Sequence, residues 1–527
     1  MFAYKDRLQS YTHTCISRGD VTMGKKKDKK KGHGAEKTAS KTDKKLSKKE
    51  KKDLAARGED DIESILAELT KEDERRIEVT VCRCSQPSPR SNMTLCAHPE
   101  RPELFMFGGE YCSGNKTFLY NHLFLYNMKK QEWSQITSPN TPPPRCSHQA
   151  VMLPQGGGQM WVFGGEFASP TQSQFYHYKD LWVFHVRDCR WEHVQVKGGP
   201  SARSGHRMVA FRKSLIVFGG FHDNLREYKY YNDVHIFNLE TRIWTKIEPS
   251  GISPLPRSAC HLWSHPDSAR IVMWAGYSKE QVKKEVEKGI VHSDMYALTL
   301  EDKRSPESAP LKWKWQLLKP GGDKPCPRSG AASVALGNNR VMLFGGVVDV
   351  EDDEETLESQ FYNDQYIFDM EKSRWHLLQL NGPKAQVTKE AQHKEVEDAM
   401  ETDEPPAEPQ QEEVVHDDGV FTLRIGPSGQ TMDCGESEAS AGSSSIAYVP
   451  KPRMNCILAH KQNIVYLYGG LYEPDEKQVT LDDFYSLDTS SMTEWRQLSQ
   501  GTYDQQVWEE SDSSEDDSEE DSDADIE

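Results

Sequence analysis

A sixfold echo constrains this chain more than any other feature. An apolar run ends on a glycine pair at Phe107-Gly108-Gly109, Phe163-Gly164-Gly165, Phe218-Gly219-Gly220, Phe344-Gly345-Gly346 and Tyr468-Gly469-Gly470, with a degenerate copy at Trp274-Ala275-Gly276. Each copy is followed by a tryptophan (Trp133, Trp191, Trp244, Trp315, Trp375, Trp495) and preceded by an arginine (Arg90, Arg145, Arg203, Arg257, Arg328, Arg453). A repeat of this length is one supersecondary unit, so six copies predict six structural units. The first copies lie about 55 residues apart and the last two gaps are longer, which marks insertions.

Within a unit the hydrophobic period is two, as in Leu215-Ile216-Val217-Phe218 and Val234-His235-Ile236-Phe237, with Gly, Pro, Asn and Asp clusters between runs. The third unit reads as four strands near 205–211, 214–219, 233–239 and 243–248. A four-stranded unit cannot bury both faces alone, and radial stacking limits exposed edges. The expected fold is all-β, a six-bladed β-propeller with charged tails and a long insertion before the last blade.

The order of arginine, apolar strand, Gly-Gly, aromatic, then tryptophan seven residues after that aromatic (Tyr126 to Trp133, Phe184 to Trp191, Phe237 to Trp244, Phe368 to Trp375) resembles the kelch repeat. That resemblance implies a propeller and little about function, since propellers host many unrelated activities. The fourth unit departs from the pattern, with Ala275 in place of a glycine and 19 residues from Tyr296 to Trp315. A weaker turn and an excursion near 301–312 are expected there. The segment Arg76–Val81 has two open readings, a strand added to the last blade or a simple lead-in.

Charge marks the regions outside the repeats. Fourteen lysines fall between Lys25 and Lys52, and twelve acidic residues between Glu509 and Glu527, within a net charge of −18. Such blocks bury too little apolar surface to offset chain entropy. The expected organisation is a disordered region 1–76, blades one to five over 77–383, a disordered acidic and Pro-rich insertion 384–447, blade six over 448–500 and an acidic tail 501–527. Inside the insertion, Gly419–Ile425 alternates like a strand that pairs on a blade edge or carries a binding motif. Residues 1–22 resemble nothing downstream, so an upstream start or an alternative transcript is expected, with Met23-Gly24 opening the lysine block. Lys27, Asp28 and Lys29 leave Gly24 without a myristoylation context.

No apolar run is long enough to cross a bilayer, and eleven cysteines without regular spacing fit neither a disulfide framework nor a zinc module. An intracellular protein, cytoplasmic or nuclear and without a membrane partner, is expected. It is read as a monomer. The lysine block is the one route to nucleic acid, and lacking interleaved aromatics it would bind without sequence preference. Serines 513, 514, 518 and 522 precede acidic residues in the manner of acidophilic kinase sites.

The loops joining strands two and three share one face with the links between blades. Arg90, Arg145, Arg203, Arg257, Arg328 and Arg453 are therefore candidates for a partner-binding face. Each either pairs with backbone or with an acidic neighbour of an adjacent blade, or grips a partner's carboxylate. Tyr120, Tyr176, Tyr231 and Tyr362 join them as rim aromatics, with Phe118, Phe175, Tyr230 and Phe361 nearby. The recurring Asn and Asp at Asn232-Asp233 and Asn363-Asp364 are read as local caps on strand three. Lysines near 279–288 and acids near 351–355 would give this face a positive and a negative side. His148, His206 and His261 recur after the arginines, but the same place in other units holds Met93, Ala331 and Cys456, so no metal or other cofactor is expected. No catalytic residue is read. The function expected is a protein-interaction scaffold, with a ubiquitin-ligase substrate receptor and an RNA-associated or nucleolar factor as alternatives.

Overall fold

The computed structural model describes residues 60–114, 116–223, 228–283, 286–301, 312–353, 356–380, 382, 414–417, 422–425, 449–474 and 477–506. They divide into two compact units, one from Met1–Arg76 with Val348–Gln360 and one from Ile77–Val347 with Phe361–Glu527. The first unit holds a helix, Ile62–Glu74, inside the region read as disordered. Its sequence supports a stripe, because Ile62, Leu66 and Asp73 are buried, and Ile65 and Leu69 half-buried, at helical spacing.

The second unit is the six-bladed propeller. Blade three is built from Arg207–Phe211, Ser214–Phe218, Val234–Asn238 and Ile243–Ile247, hydrogen-bonded in that order. Those bounds fall within a residue or two of the sequence reading. The first strand of each blade is innermost: Thr94–Ala97 lies against both Gln149–Leu153 and Ile457–Lys461, so blade one touches blades two and six.

Burial explains the echo. The aromatic before each glycine pair packs on the tryptophan of the next blade: Phe107 on Trp191 with ring centroids 4.9 Å apart, Phe163 on Trp244 at 5.5 Å, Phe218 on Trp315 at 5.4 Å, Trp274 on Trp375 at 4.8 Å, Phe344 on Trp495 at 5.9 Å, and Tyr468 on Trp133 at 6.1 Å. Every junction thus buries one aromatic pair. Such a pair adds about 1 kcal/mol beyond the area it removes from water.

Three expectations change. The strand Thr80–Cys84 pairs with Glu132–Thr137, so the lead-in forms a fifth strand on the outer edge of blade one and adds nothing to blade six. Blade six is complete in Ile457–Lys461, Ile464–Tyr472, Val479–Asp488 and Trp495–Ser499, which leaves no strand for the N-terminal segment to supply. In blade four, Trp315 faces Leu298 while Tyr296 faces Leu317, so Leu298 fills the place read for an aromatic. Within the insertion, Thr422–Ile425 pairs with Val414–Asp417 in a two-stranded sheet of its own, not on a blade edge. The excursion read at 301–312 falls mostly outside the described residues.

Candidate interaction face

Each blade begins with its arginine, and the backbone there stitches blade to blade. The arginine carbonyl accepts from the second glycine of the preceding blade: Gly109 N to Arg145 O at 2.9 Å, Gly165 to Arg203 at 2.9 Å, Gly220 to Arg257 at 2.8 Å, Gly346 to Arg453 at 2.9 Å and Gly470 to Arg90 at 3.1 Å. The last of these closes the ring. The approach is too close for a side chain, since a Cβ on Gly108 would stand 2.6 Å from Arg145 O at a φ of +69°.

Two residues after each arginine the chain turns left-handed, at Asn92, Ser147, Gly205, Ala259, Gly330 and Asn455. Their backbones form a belt: Ser147 N donates to Asn92 O, Gly205 to Ser147, Ala259 to Gly205, Asn455 to Gly330 and Asn92 to Asn455. Both the belt and the glycine-arginine bond are made at five junctions and missing, among the described residues, at the sixth, between blades four and five. There Ala275 replaces the first glycine, and Trp263, Trp274, Phe368 and Trp375 fill the junction instead.

The guanidinium groups turn back into their own blades. Arg145 forks onto Asp180 at 2.8 and 2.9 Å and donates to Gly164 O at 3.1 Å. Arg203 forks onto Asp233 at 2.6 and 3.0 Å. Arg257, Arg328 and Arg453 fork in the same way onto Asp294, Asp364 and Asp483. All six arginines are buried, Arg328 the least so. Burial opposes the charge of Arg145, Arg328 and Arg453, but the aspartate outweighs it and holds each above the ordinary arginine range.

Asp180, Asp233, Asp294, Asp364 and Asp483 correct the expectation that the pairing acids come from adjacent blades, because each lies in the same blade as its arginine, where the paired strands bring the two together. The signal was present, because an aspartate recurs just before strand three. It was read as a local cap, whereas Asp233 and Asp364 reach the arginines, and Asn232 and Asn363 donate to Pro254 O and Pro450 O in the next linker.

Blade one is the exception. His122 stands at the aspartate position, and among the described residues no carboxylate pairs with Arg90. The Arg90 side chain donates instead to Ser88 O at 3.0 Å, Ser88 Oγ at 2.9 Å and Gly108 O at 3.1 Å. Burial, only partly countered by Tyr468 and Tyr120, pulls Arg90 below the ordinary range. Glu110, the buried acid of this blade, accepts from Asn92 at 2.7 Å.

Three of the four candidate tyrosines lie face-on to these guanidiniums: Tyr120 at 4.4 Å from Arg90, Tyr231 at 4.0 Å from Arg203 and Tyr362 at 4.0 Å from Arg328. In blade two Tyr178 takes that place at 4.0 Å from Arg145, and Tyr176 is 40% exposed beside it.

The segments from strand two to strand three rise as β-ribbons, Glu110–Ser113 with Lys116–Leu119, Glu166–Ala168 with Phe175–His177 and Phe221–Asp223 with Tyr228–Tyr230. In blades four and six the two strands themselves run on into the ribbon. Neighbouring ribbons are tied together. Thr117 N donates to Pro170 O at 2.8 Å, Asp223 N to His177 Nε2 at 3.0 Å, and Cys112 N to Thr480 Oγ1 at 3.2 Å across the closing seam. After blade six the chain folds back, with Thr502 N and Oγ1 both bonded to the Asp482 carboxylate. Between this strap and the ribbon of blade one lies a cavity of about 560 Å³ lined by Ser88, Tyr111, Phe118, Tyr120, Thr502 and Gln506, among others.

His148, His206 and His261 do not converge as ligands, and among the described residues no three His, Cys, Asp or Glu side chains could hold a metal. His148 Nε2 lies 2.9 Å from Thr94 Oγ1 and His261 Nδ1 lies 2.8 Å from Ser333 Oγ, each bridging two blades, and burial lowers both to about 3. His206 stands edge-on to Phe163. Of the lysines near 279–288, Lys279 lies 3.5 Å from Glu287, while the acids near 351–355 have no described side chains.

The family model described as the KLHDC2/KLHL20/DRC7 Kelch-repeats domain matches residues 58–276 and 225–396, well over half of the chain. The chain belongs to this kelch-repeat family. The kelch propeller is a protein-interaction fold, and the described residues include no helix long and apolar enough to cross a membrane. Acyl-CoA-binding domain-containing protein 5 of Arabidopsis thaliana is 25% identical over 51% of this chain and 38% of its own length. Host cell factor 1 of Homo sapiens is 28% identical over 34% of this chain and 8% of its own. The chain therefore spans well under two thirds of these relatives. The solved structure of YjhT aligns over 76% of this chain and 95% of its own, at 12% identity and a TM-score of 0.46.

Proposed function

We propose that this kelch protein is an intracellular, cytoplasmic or nuclear scaffold that binds a partner protein or peptide on the face carrying the ribbons of blades one to four and six. The observation that supports this most is the coupling of neighbouring ribbons into one surface with aromatic side chains left open, Phe118 at 45% and Tyr176 at 40% exposure. Exposed aromatics on a rigid support are the residue type that anchors interfaces. In this reading Arg90, Arg145, Arg203, Arg257, Arg328 and Arg453, with Tyr120, Tyr231 and Tyr362, frame the face, and Tyr176 meets the partner directly. Binding rather than catalysis is its role, and the propeller runs from 77 to 383 and from 448 to 500. The lysine-rich start at Met23 and the phrase Trp161–Pro170 add a finer likeness, to kelch domain-containing protein four.

The test is proximity labelling in cells with the intact chain and a Phe118→Ala, Tyr176→Ala variant of equal thermal stability. A set of proteins labelled by the intact chain and lost from the variant is the expected result. Identical sets would overturn the assignment of this face.

A further inference from the structure

Five blades answer a buried arginine with an aspartate, and blade one does not. Arg90 is fully buried with neutral partners, the Ser88 and Gly108 carbonyls and the Ser88 hydroxyl. A buried charge without a counter-ion is costly, and the opposite charge is most valuable where water is excluded. The cavity of about 560 Å³ opens beside this site, and two residues of its wall, Ser88 and Tyr120, touch the guanidinium, as do Gly108 and Phe124 outside the wall.

We propose that this cavity is a carboxylate-binding site in which the ligand supplies the negative charge that His122 withholds from Arg90. Ser88 Oγ accepts from Arg90 Nη2, which leaves its own hydrogen free to donate into the cavity and polarises that donor. Thr502, Gln505 and Gln506 add neutral polar groups opposite, with no lysine or arginine in the lining to draw anions indiscriminately. Tyr111 and Phe118, stacked with ring centroids 6.3 Å apart, supply an apolar wall for whatever carries the carboxylate. The ligand chemistry is thus a carboxylate next to an aromatic or apolar group, whether a small organic acid or the acidic side chain or terminus of a peptide.

The inference deepens the proposal of a binding face by giving part of it a ligand class, but its test needs only purified full-length protein. Benzoate, and the capped dipeptides acetyl-Glu-Phe-amide and acetyl-Gln-Phe-amide, are titrated by calorimetry. Saturable binding on the order of millimolar is expected for at least one of the two acids, as suits such small probes. Benzoate alone points to a metabolite-like acid, and the glutamyl peptide alone or with benzoate to a protein partner, in which case acetyl-Gln-Phe-amide binds at least tenfold more weakly than its acidic twin.

His122→Asp places in blade one the carboxylate the other blades own. It is expected to raise the thermal midpoint by several degrees and weaken the acid at least tenfold, whereas the neutral His122→Asn keeps binding. Ser88→Ala, read by the same titration, weakens binding severalfold. No saturable binding by either acid, equal binding of the glutamyl and glutaminyl peptides, or unchanged affinity in His122→Asp would each overturn the proposal. Failure here with partners still lost in the rim variant would leave the binding face standing, and the reverse pattern would leave the carboxylate site without it.

Discussion

Charge bookkeeping around single side chains separates the arginines. Arg453 and Asp483 are both almost fully buried, so removing one strands the other. Arg453→Met is expected to cost about 3–5 kcal/mol, the range for breaking a buried pair from one side. Arg90→Met strands no carboxylate and loses three bonds to neutral acceptors, so it should cost less than half as much. Urea denaturation of both variants decides the matter, and equal costs would mean that Asp483 adds nothing to Arg453. The arginines were legible in the sequence because they recur at one point of the repeat. Their direction was not, because Arg145 and Asp180 are 35 residues apart and only the paired strands bring them within 3 Å.

At the scale of elements, the fifth strand and the ribbons were out of reach of the repeat pattern. Thr80–Cys84 is an exposed strand with a weak hydrophobic alternation, and its pairing to Glu132–Thr137 depends on blade one offering an open edge. The ribbons depend on pairing too, since Glu110–Ser113 and Lys116–Leu119 carry mixed polar and aromatic residues that read as loop. Blade one is complete without its added strand. A chain beginning at Ser85 is therefore expected to keep its β-sheet circular dichroism and cooperative unfolding, with stability lower by about 1–3 kcal/mol for the lost edge pairing. Collapse of the cooperative transition on that truncation would show that the strand does close the ring.

For the whole molecule, continuity along the chain does not coincide with continuity around the ring. Blades six and one hold the chain ends apart by the full length of the propeller, yet they share the Gly470–Arg90 bond, the Asn92–Asn455 bond and the Cys112–Thr480 contact. Blades four and five are consecutive and, among the described residues, lack both backbone ties, with His261 Nδ1 and Trp263 Nε1 each bonded to Ser333 Oγ in their place. Ring opening should begin at this junction. In native-state hydrogen exchange the amides of Gly276 and Gly330 are expected to exchange at least tenfold faster than those of Gly220, Gly470 and Gly205. Uniform protection around the ring would contradict the weak junction.

The sequence by itself determined the blade count, the strand period, the family and the position of the weak repeat. These are properties of local pattern: alternation sets which side chains face a neighbouring blade, and a glycine pair recurs where the backbone of that neighbour comes within 3 Å. Only the tertiary structure decided which acid answers each arginine, that Tyr178 and not Tyr176 covers Arg145, where the lead-in strand pairs, and that blade one leaves Arg90 without a carboxylate. Those are relations between residues 30 or more positions apart. A hydrogen bond of 3 Å is fixed by the packing of whole blades, and no spacing along the chain encodes it.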